Sequence, residues 1–175
     1  LPIQDHASNI IFDCKSGYSG AGVKATYVND PKNYSDNIIA YKLTNHRHKA
    51  EIKQFVKAKV SFTPHVLPLF RGLMCTMHAI LDKETNINGI KSIYNNYYKD
   101  APFVKIVDKI PELHDVQNTN YCYLGGFEID DNDRLVVVSV IDNLLKGASG
   151  QAVQNMNLMF GFVETQGLQV VAFYP

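Results

Sequence analysis

Apolar and polar residues alternate along this chain in short runs, broken repeatedly by Asn, Asp, Gly and Pro. That punctuation predicts many strands and few helices. The densest apolar run, Leu135 to Ile141, is rich in β-branched residues and reads as a strand. Asp130-Asp131-Asn132-Asp133 before it reads as a hairpin turn, entered from a strand over Tyr121 to Ile129. Further strands are predicted at Ile10 to Cys14, Ile38 to Leu43, Val60 to Leu67, Leu73 to Leu81 and Val104 to Val107. Helical spacing covers Arg47 to Lys59, where Ile52, Phe55, Val56 and Val60 share a side. It also covers Ile87 to Tyr98, and a last helix is predicted from about Ala148 to Phe160. Several strands in succession with few helices give an α+β fold on a mixed or largely antiparallel sheet.

Length adds one domain over residues 1–175, large enough to bury about 70% of its unfolded surface. Lys and Arg number 17, as do Asp and Glu, so no net field draws the chain to nucleic acid or a membrane surface. No apolar run approaches the roughly 20 residues that span a bilayer. The start, Leu1-Pro2-Ile3-Gln4, has neither an initiator Met nor a signal-peptide pattern, and reads as a cut inside a longer protein. Cys14, Cys75 and Cys122 are odd in number and widely spaced, which argues against a disulfide framework or zinc site. Each sits in an apolar, strand-like setting and reads as buried and inert, in a reducing, cytoplasmic compartment.

Candidate chemistry lies in three places. Asp142-Asn143-Leu144-Leu145-Lys146-Gly147-Ala148-Ser149-Gly150-Gln151 leads into the last helix. A helix start preceded by Gly and Ser offers free N–H groups and a positive dipole end to an anion or carboxamide. The same pattern also describes an ordinary capped helix. Ser16-Gly17-Tyr18-Ser19-Gly20-Ala21-Gly22 is a Gly-rich loop whose backbone N–H groups suit a ligand or a plain turn. It is not a P-loop, because Val23 stands where Lys is needed and Thr26 is displaced from Lys24; nor does its glycine order fit the dinucleotide fingerprint. His46-Arg47-His48 precedes Glu51 and offers imidazoles for proton exchange near neutral pH. In extended backbone His46 and His48 share a side, yet no third metal ligand is suggested nearby. His65 is a further candidate.

Five segments occur in one order: Asp13 to Gly22; His46-Arg47-His48 with Glu51-Ile52; Val60-Ser61-Phe62-Thr63-Pro64-His65 with Pro68 and Arg71-Gly72; Asn120-Tyr121-Cys122; and Asp142 to Asn157. Together with Gly161-Phe162 through Tyr174-Pro175 they resemble the C-terminal catalytic and dimerisation region of the N-acetyl-gamma-glutamyl-phosphate reductase family. The resemblance implies a glyceraldehyde-3-phosphate dehydrogenase-like C-terminal domain, its helices on one face of the sheet. It implies an enzyme of arginine biosynthesis, in which a separate Rossmann domain binds NADPH and a Cys thiolate attacks N-acetylglutamyl 5-phosphate. The thioester so formed is reduced to the semialdehyde, with a His as acid/base.

By the same resemblance His48 is the acid/base, with His46 as second choice. Ser16 and Gly17 face the substrate, with Tyr41 and Arg71 helping to shape its pocket. Ser19, Gly20, Asn143, Gly147 and Ala148 meet the cofactor. The family's nucleophile lies in a Pro-Gly-Cys-Tyr-Pro-Thr-like segment, and Cys14, Cys75 and Cys122 all lack that context. Val23 and Lys24 stand where the family has Arg, with Lys24 a substitute for its anion contact. The expectation is therefore a fragment inactive alone, binding no NADP(H) tightly, part of a homo-oligomer (dimer or tetramer). Alternatives are a non-catalytic dimerisation module with a broad apolar sheet face, or a relative acting on another acyl phosphate, such as an aspartate-semialdehyde dehydrogenase. Loss of the cofactor domain is expected to leave the last helix loosely packed.

Overall fold

The computed structural model describes residues 2–22, 27–82 and 85–170. Val23, Lys24, Thr26, Tyr174 and Pro175, and the readings attached to them, lie outside the described residues. The strands are β1 (Ala7–Gly17), β2 (Ile39–Ala40), β3 (Lys59–Leu67), β4 (Leu73–Leu81), β5 (Val104–Ile106), β6 (Cys122–Ile129) and β7 (Arg134–Ile141). They form a single seven-stranded sheet in the order β2-β3-β1-β4-β7-β6-β5. β1 runs parallel to β3 and β5 parallel to β6, while the other neighbours are antiparallel. The helices are α1 (Pro31–Tyr34), α2 (Arg47–Ile52), α3 (Ile87–Tyr98) and α4 (Gly150–Met159).

Register decides which face is core. Ile10 sits opposite Val60 on one side and Ala79 on the other, and Ala79 opposite Leu135, so these side chains share a face. With Met77 and Val137 they make a cluster closed by Ile90 and Tyr94 of α3. Burying two such side chains contributes about 1.5–3 kcal/mol each, which fixes α3 on this face. A smaller cluster of Cys14, Phe62 and Cys75 continues the same face, and Ile52 of α2 packs on both clusters. The opposite face carries Ile11, Asp13, Lys15, Thr63, His65, Met74, Thr76 and His78, none of them buried. By register the same face also carries Val136, Val138 and Val140, so charged and apolar residues share it. Asp13 Oδ2 lies 2.5 Å from Lys15 Nζ, and Asp13 Oδ1 3.2 Å from His65 Nδ1.

The α+β class and mixed sheet match the reading of the sequence; several boundaries do not. The strand expected over Ile38 to Leu43 is only Ile39–Ala40, because Lys42 takes a left-handed backbone (φ 46) and turns the chain away. The helix expected over Arg47 to Lys59 stops at Ile52. Lys59 must already be extended to pair with Asn9, and Phe55, assigned to the apolar stripe, is 76% exposed.

The last helix departs most. Ser149 does not cap it: Ser149 is itself helical and donates its hydroxyl to Leu144 O at 2.8 Å. A π-helical turn over Leu145–Ser149 runs straight into α4, so the true helix start lies near Leu144. Lower down, α4 turns polar residues inward. Gln154 and Asn157 are buried, whereas Leu158, Met159 and Phe160 are exposed. Gln154 accepts from Lys146 Nζ and donates to Glu164 Oε1, each at 2.6 Å. Asn157 Nδ2 donates to the carbonyls of Glu164 and Gln166.

Candidate functional site

The site forms where the C-terminal end of β1 meets three other segments. Gly17 presses against the β3–β4 loop: a Cβ there would lie 2.7 Å from the carbonyl oxygens of both Leu69 and Phe70. The Gly17 N–H donates to Gly72 O and that of Tyr18 to Leu69 O, which locks the contact. The chain then makes a 3-10 turn over Tyr18–Ala21. Ser19 Oγ donates to Phe70 O and accepts from Asn143 Nδ2 at 2.9 Å. Asn143 Oδ1 in turn accepts from the Gly72 N–H at 2.7 Å. Asn143 therefore ties the Gly-rich loop to the β3–β4 loop with both ends of its amide.

His46 and His48 enter from the start of α2. His46 is the N-cap, and its Nδ1 accepts the His48 N–H at 3.2 Å. That bond leaves the neutral imidazole with its proton on Nε2. The two rings are 4.6 Å apart, and both rest on Phe62, with centroids 5.1 and 5.7 Å away. Tyr41 packs edge-on against His46 at 5.5 Å. Burial pushes the His46 pKa below its ordinary value, helped by the positive neighbours His48, Lys42 and Arg47. Burial also raises the Tyr41 hydroxyl. His48 Nε2 lies 3.9 Å from Glu51 Oε2, one turn along the helix. Among the described residues no group of three His, Cys, Asp or Glu side chains is placed to hold a metal ion.

These segments enclose a cavity of about 210 Å³. Ser16, Gly17 and Gly20 line it from the β1 end, Tyr41, His46 and His48 from the α2 side, and Asn143 and Gly147 from beyond β7. Arg47, Cys14 and Phe62 also line it, as do Pro64 and His65. Of the residues named from the sequence, Ser19, Arg71 and Ala148 are not on its wall. Ser19 stands behind it, holding Asn143.

Arg71 is turned to a different task. Its Nη1 lies 3.4 Å from Oδ2 of Asp142, which is fully buried. Arg71 Nη1 also hydrogen-bonds Asn118 Oδ1. Asp142 accepts further bonds from the N–H of Asn118 at 2.8 Å, Leu144 at 2.8 Å and Leu145 at 2.9 Å. The N–H groups at the actual helix start, Leu144 and Leu145, are thus met by a carboxylate of the chain itself, and those the sequence suggested near Ser149 and Gly150 fall inside the continuous helical run. Asp142 is the residue that sequence reading missed. Its one signal is an Asp just ahead of a helical run.

The thiols of Cys75 and Cys122 are not activated. Cys75 is pushed far up by hydrogen bonding to Cys14 and by burial, and burial raises Cys122 to about 11.

Residues 3–143 match the family model described as semialdehyde dehydrogenase, dimerisation domain. The chain belongs to the semialdehyde dehydrogenase dimerisation-domain family. Among curated members, a Methanocaldococcus jannaschii protein named N-acetyl-gamma-glutamyl-phosphate reductase is 52% identical, over 95% of this chain and 50% of its own length. A Methanosphaera stadtmanae protein of the same name is 47% identical, over 100% of this chain and 54% of its own. The chain spans about half the length of the curated relatives it matches. The semialdehyde dehydrogenase fold is seen also in aspartate semialdehyde dehydrogenase II from Vibrio cholerae, solved with ASA. That structure has a TM-score of 0.72 at 16% identity, covering 91% of this chain and 57% of its own. A Francisella tularensis aspartate semialdehyde dehydrogenase gives 0.68 at 13% identity.

Proposed function

We propose that this chain is the acid/base and dimer-forming half of an NADPH-dependent reductase that converts N-acetylglutamyl 5-phosphate to N-acetylglutamate 5-semialdehyde. The observation that carries the reading is the meeting of His46 and His48 with Ser16, Gly17 and Gly20 on one cavity wall, in a chain 47–52% identical to reductases of that name.

His48 moves the proton. Its side chain is 45% exposed and lies beside Glu51, so its ring can reach a ligand in the cavity it lines. His46 positions it, since its Nδ1 is committed to the His48 backbone. The nucleophilic thiol belongs to the other half of the polypeptide, in keeping with the raised thiols of Cys75 and Cys122.

NADPH, when bound, supplies a hydride. Gly20 and Gly147 fit its nicotinamide end: a Cβ on Gly20 would come within 3.0 Å of Ser16 Oγ and 3.3 Å of Asn143 Nδ2, so a side chain there would crowd the wall. Ser19 and Asn143 contribute by holding that wall, and Ala148 follows on the π-turn. The exposed apolar residues Met159, Phe160 and Val163 fit the surface of a cofactor domain. The helix-free sheet face fits a second copy of the chain. No described helix is long and apolar enough to cross a membrane.

The test is a chimera in which this chain replaces the matching half of the Methanocaldococcus jannaschii relative. NADPH oxidation with N-acetylglutamyl phosphate is expected, with His48→Asn lowering kcat about 10²–10⁴-fold. A His48→Asn chimera with undiminished kcat contradicts the assignment.

A further inference from the structure

Arg47 stands where two hollows meet. It lines the cavity of about 210 Å³ that holds His46 and His48, and also a neighbouring cleft of about 510 Å³. Tyr27, Tyr41, Lys42 and His46 share the wall of that second cleft. Among the described residues neither wall contains an Asp or Glu, although the chain as a whole balances its charges at 17 each. Arg47 and Lys42 join no ion pair among the described residues. Glu51, one turn beyond Arg47, lies against His48 instead. Two fixed cations thus face one hollow without a counter-charge. Lys42 also holds a left-handed backbone (φ 46), a conformation a non-glycine residue adopts at a cost and one that recurs at ligand sites.

We propose that Arg47 and Lys42 form a carboxylate subsite, which takes the α-carboxylate of an N-acylated acidic amino acid while its side-chain end reaches His48. The inference rests on the function proposed above and adds how the substrate is held and recognised. An α-carboxylate is ionised at neutral pH, and the planar guanidinium of Arg47 matches it through two parallel N–H bonds. Lys42, on the wall of the same cleft, adds a second charge. Binding there displaces no internal ion pair, so the gain is not offset by breaking one. The anion also lies near His46, and its charge opposes the lowering that burial and the neighbouring cations impose on that ring. A ligand with an amide in place of the α-carboxylate leaves both cations unmatched and is rejected.

The test follows the ring resonances of His46 and His48 by NMR in the 175-residue chain, titrated with N-acetylglutamate, its α-amide and inorganic phosphate. N-acetylglutamate should shift both rings saturably in the unaltered chain. Arg47→Gln should weaken that binding at least tenfold, and the α-amide should bind the unaltered chain as weakly as N-acetylglutamate binds Arg47→Gln. Lys42→Gly keeps the left-handed backbone at no cost, so it should raise Tm while weakening binding. Equal affinity of Arg47→Gln and the unaltered chain for N-acetylglutamate overturns the subsite and leaves the His48 assignment standing. Loss of phosphate binding alone in Arg47→Gln assigns the cations to a phosphoryl group, and also overturns it. No saturable shift with any of the three ligands overturns both readings.

Discussion

Arg71, partly exposed, and Asp142 form an ion pair, Nη1 to Oδ2 at 3.4 Å, which joins the β3–β4 loop to the start of the last helix. The carboxylate is fully buried and takes three backbone N–H bonds besides. Removing one partner of such a pair strands the other charge and its donors. Asp142→Ala is expected to lower stability by about 3–5 kcal/mol, read as a fall in the urea midpoint. A loss below 1 kcal/mol would mean that water replaces the carboxylate without cost.

Gly150 is needed for space rather than for an unusual backbone. A Cβ there would sit 1.7 Å from Asn120 Oδ1 and 2.9 Å from Leu145 O. Gly150→Ala should cost about 1–3 kcal/mol through forced displacement. Gly147→Ala, whose Cβ meets nothing nearer than 3.4 Å, should leave the chain close to its original stability. Thermal unfolding of the two variants side by side distinguishes steric exclusion from a general loss of glycine.

The low pKa of His46 links stability to pH. Burial holds it below the unfolded value, so the unfolded state takes up the proton first. Stability is full above the ordinary His range near 6.5 and falls as pH drops through it toward the lowered folded value. His78, lowered by burial and by Arg134, adds a slope of the same sign. His46→Asn retains an N-cap acceptor and should flatten part of that fall. Denaturant midpoints between about pH 5 and 8 supply the comparison. An unchanged slope would remove His46 from the account.

The helix-free sheet face predicts where copies meet. Thr76 lies at its centre, opposite Asp13 on one side and Val138 on the other. Thr76→Arg should convert a dimer to a monomer in sedimentation equilibrium, while the His46 and His48 ring resonances stay in place. A dimer that survives the substitution places the interface elsewhere.

The sequence exposed the strands best where apolar alternation was dense. Leu73 to Leu81 is β4 to the residue, and β3 and β7 begin one residue earlier than expected. It failed where tertiary contact overrode local pattern. Phe55 extended a helical stripe that the ladder at Lys59 cuts short. Ser149 looked like a cap from its Gly-flanked setting, whereas Asp142 gathers donors from residues 118, 144 and 145, and position 71 supplies its counter-ion. Nothing in local spacing reveals such a convergence. The site residues were named through a family resemblance, and no local rule brings Gly17, His46 and Asn143 together. The parallel β1–β3 pairing and the Asn143 bridge do so. Arg47 lay within the quoted His motif unassigned, because its lack of a counter-ion is a property of three-dimensional placement.

The most direct measurement is NADPH oxidation with N-acetylglutamyl phosphate, assayed for this 175-residue chain alone and after fusion to the half of a curated relative that it does not match. The account predicts a chain inactive alone and active when fused. Activity in the chain alone would contradict it, and would place the nucleophile at Cys14, Cys75 or Cys122.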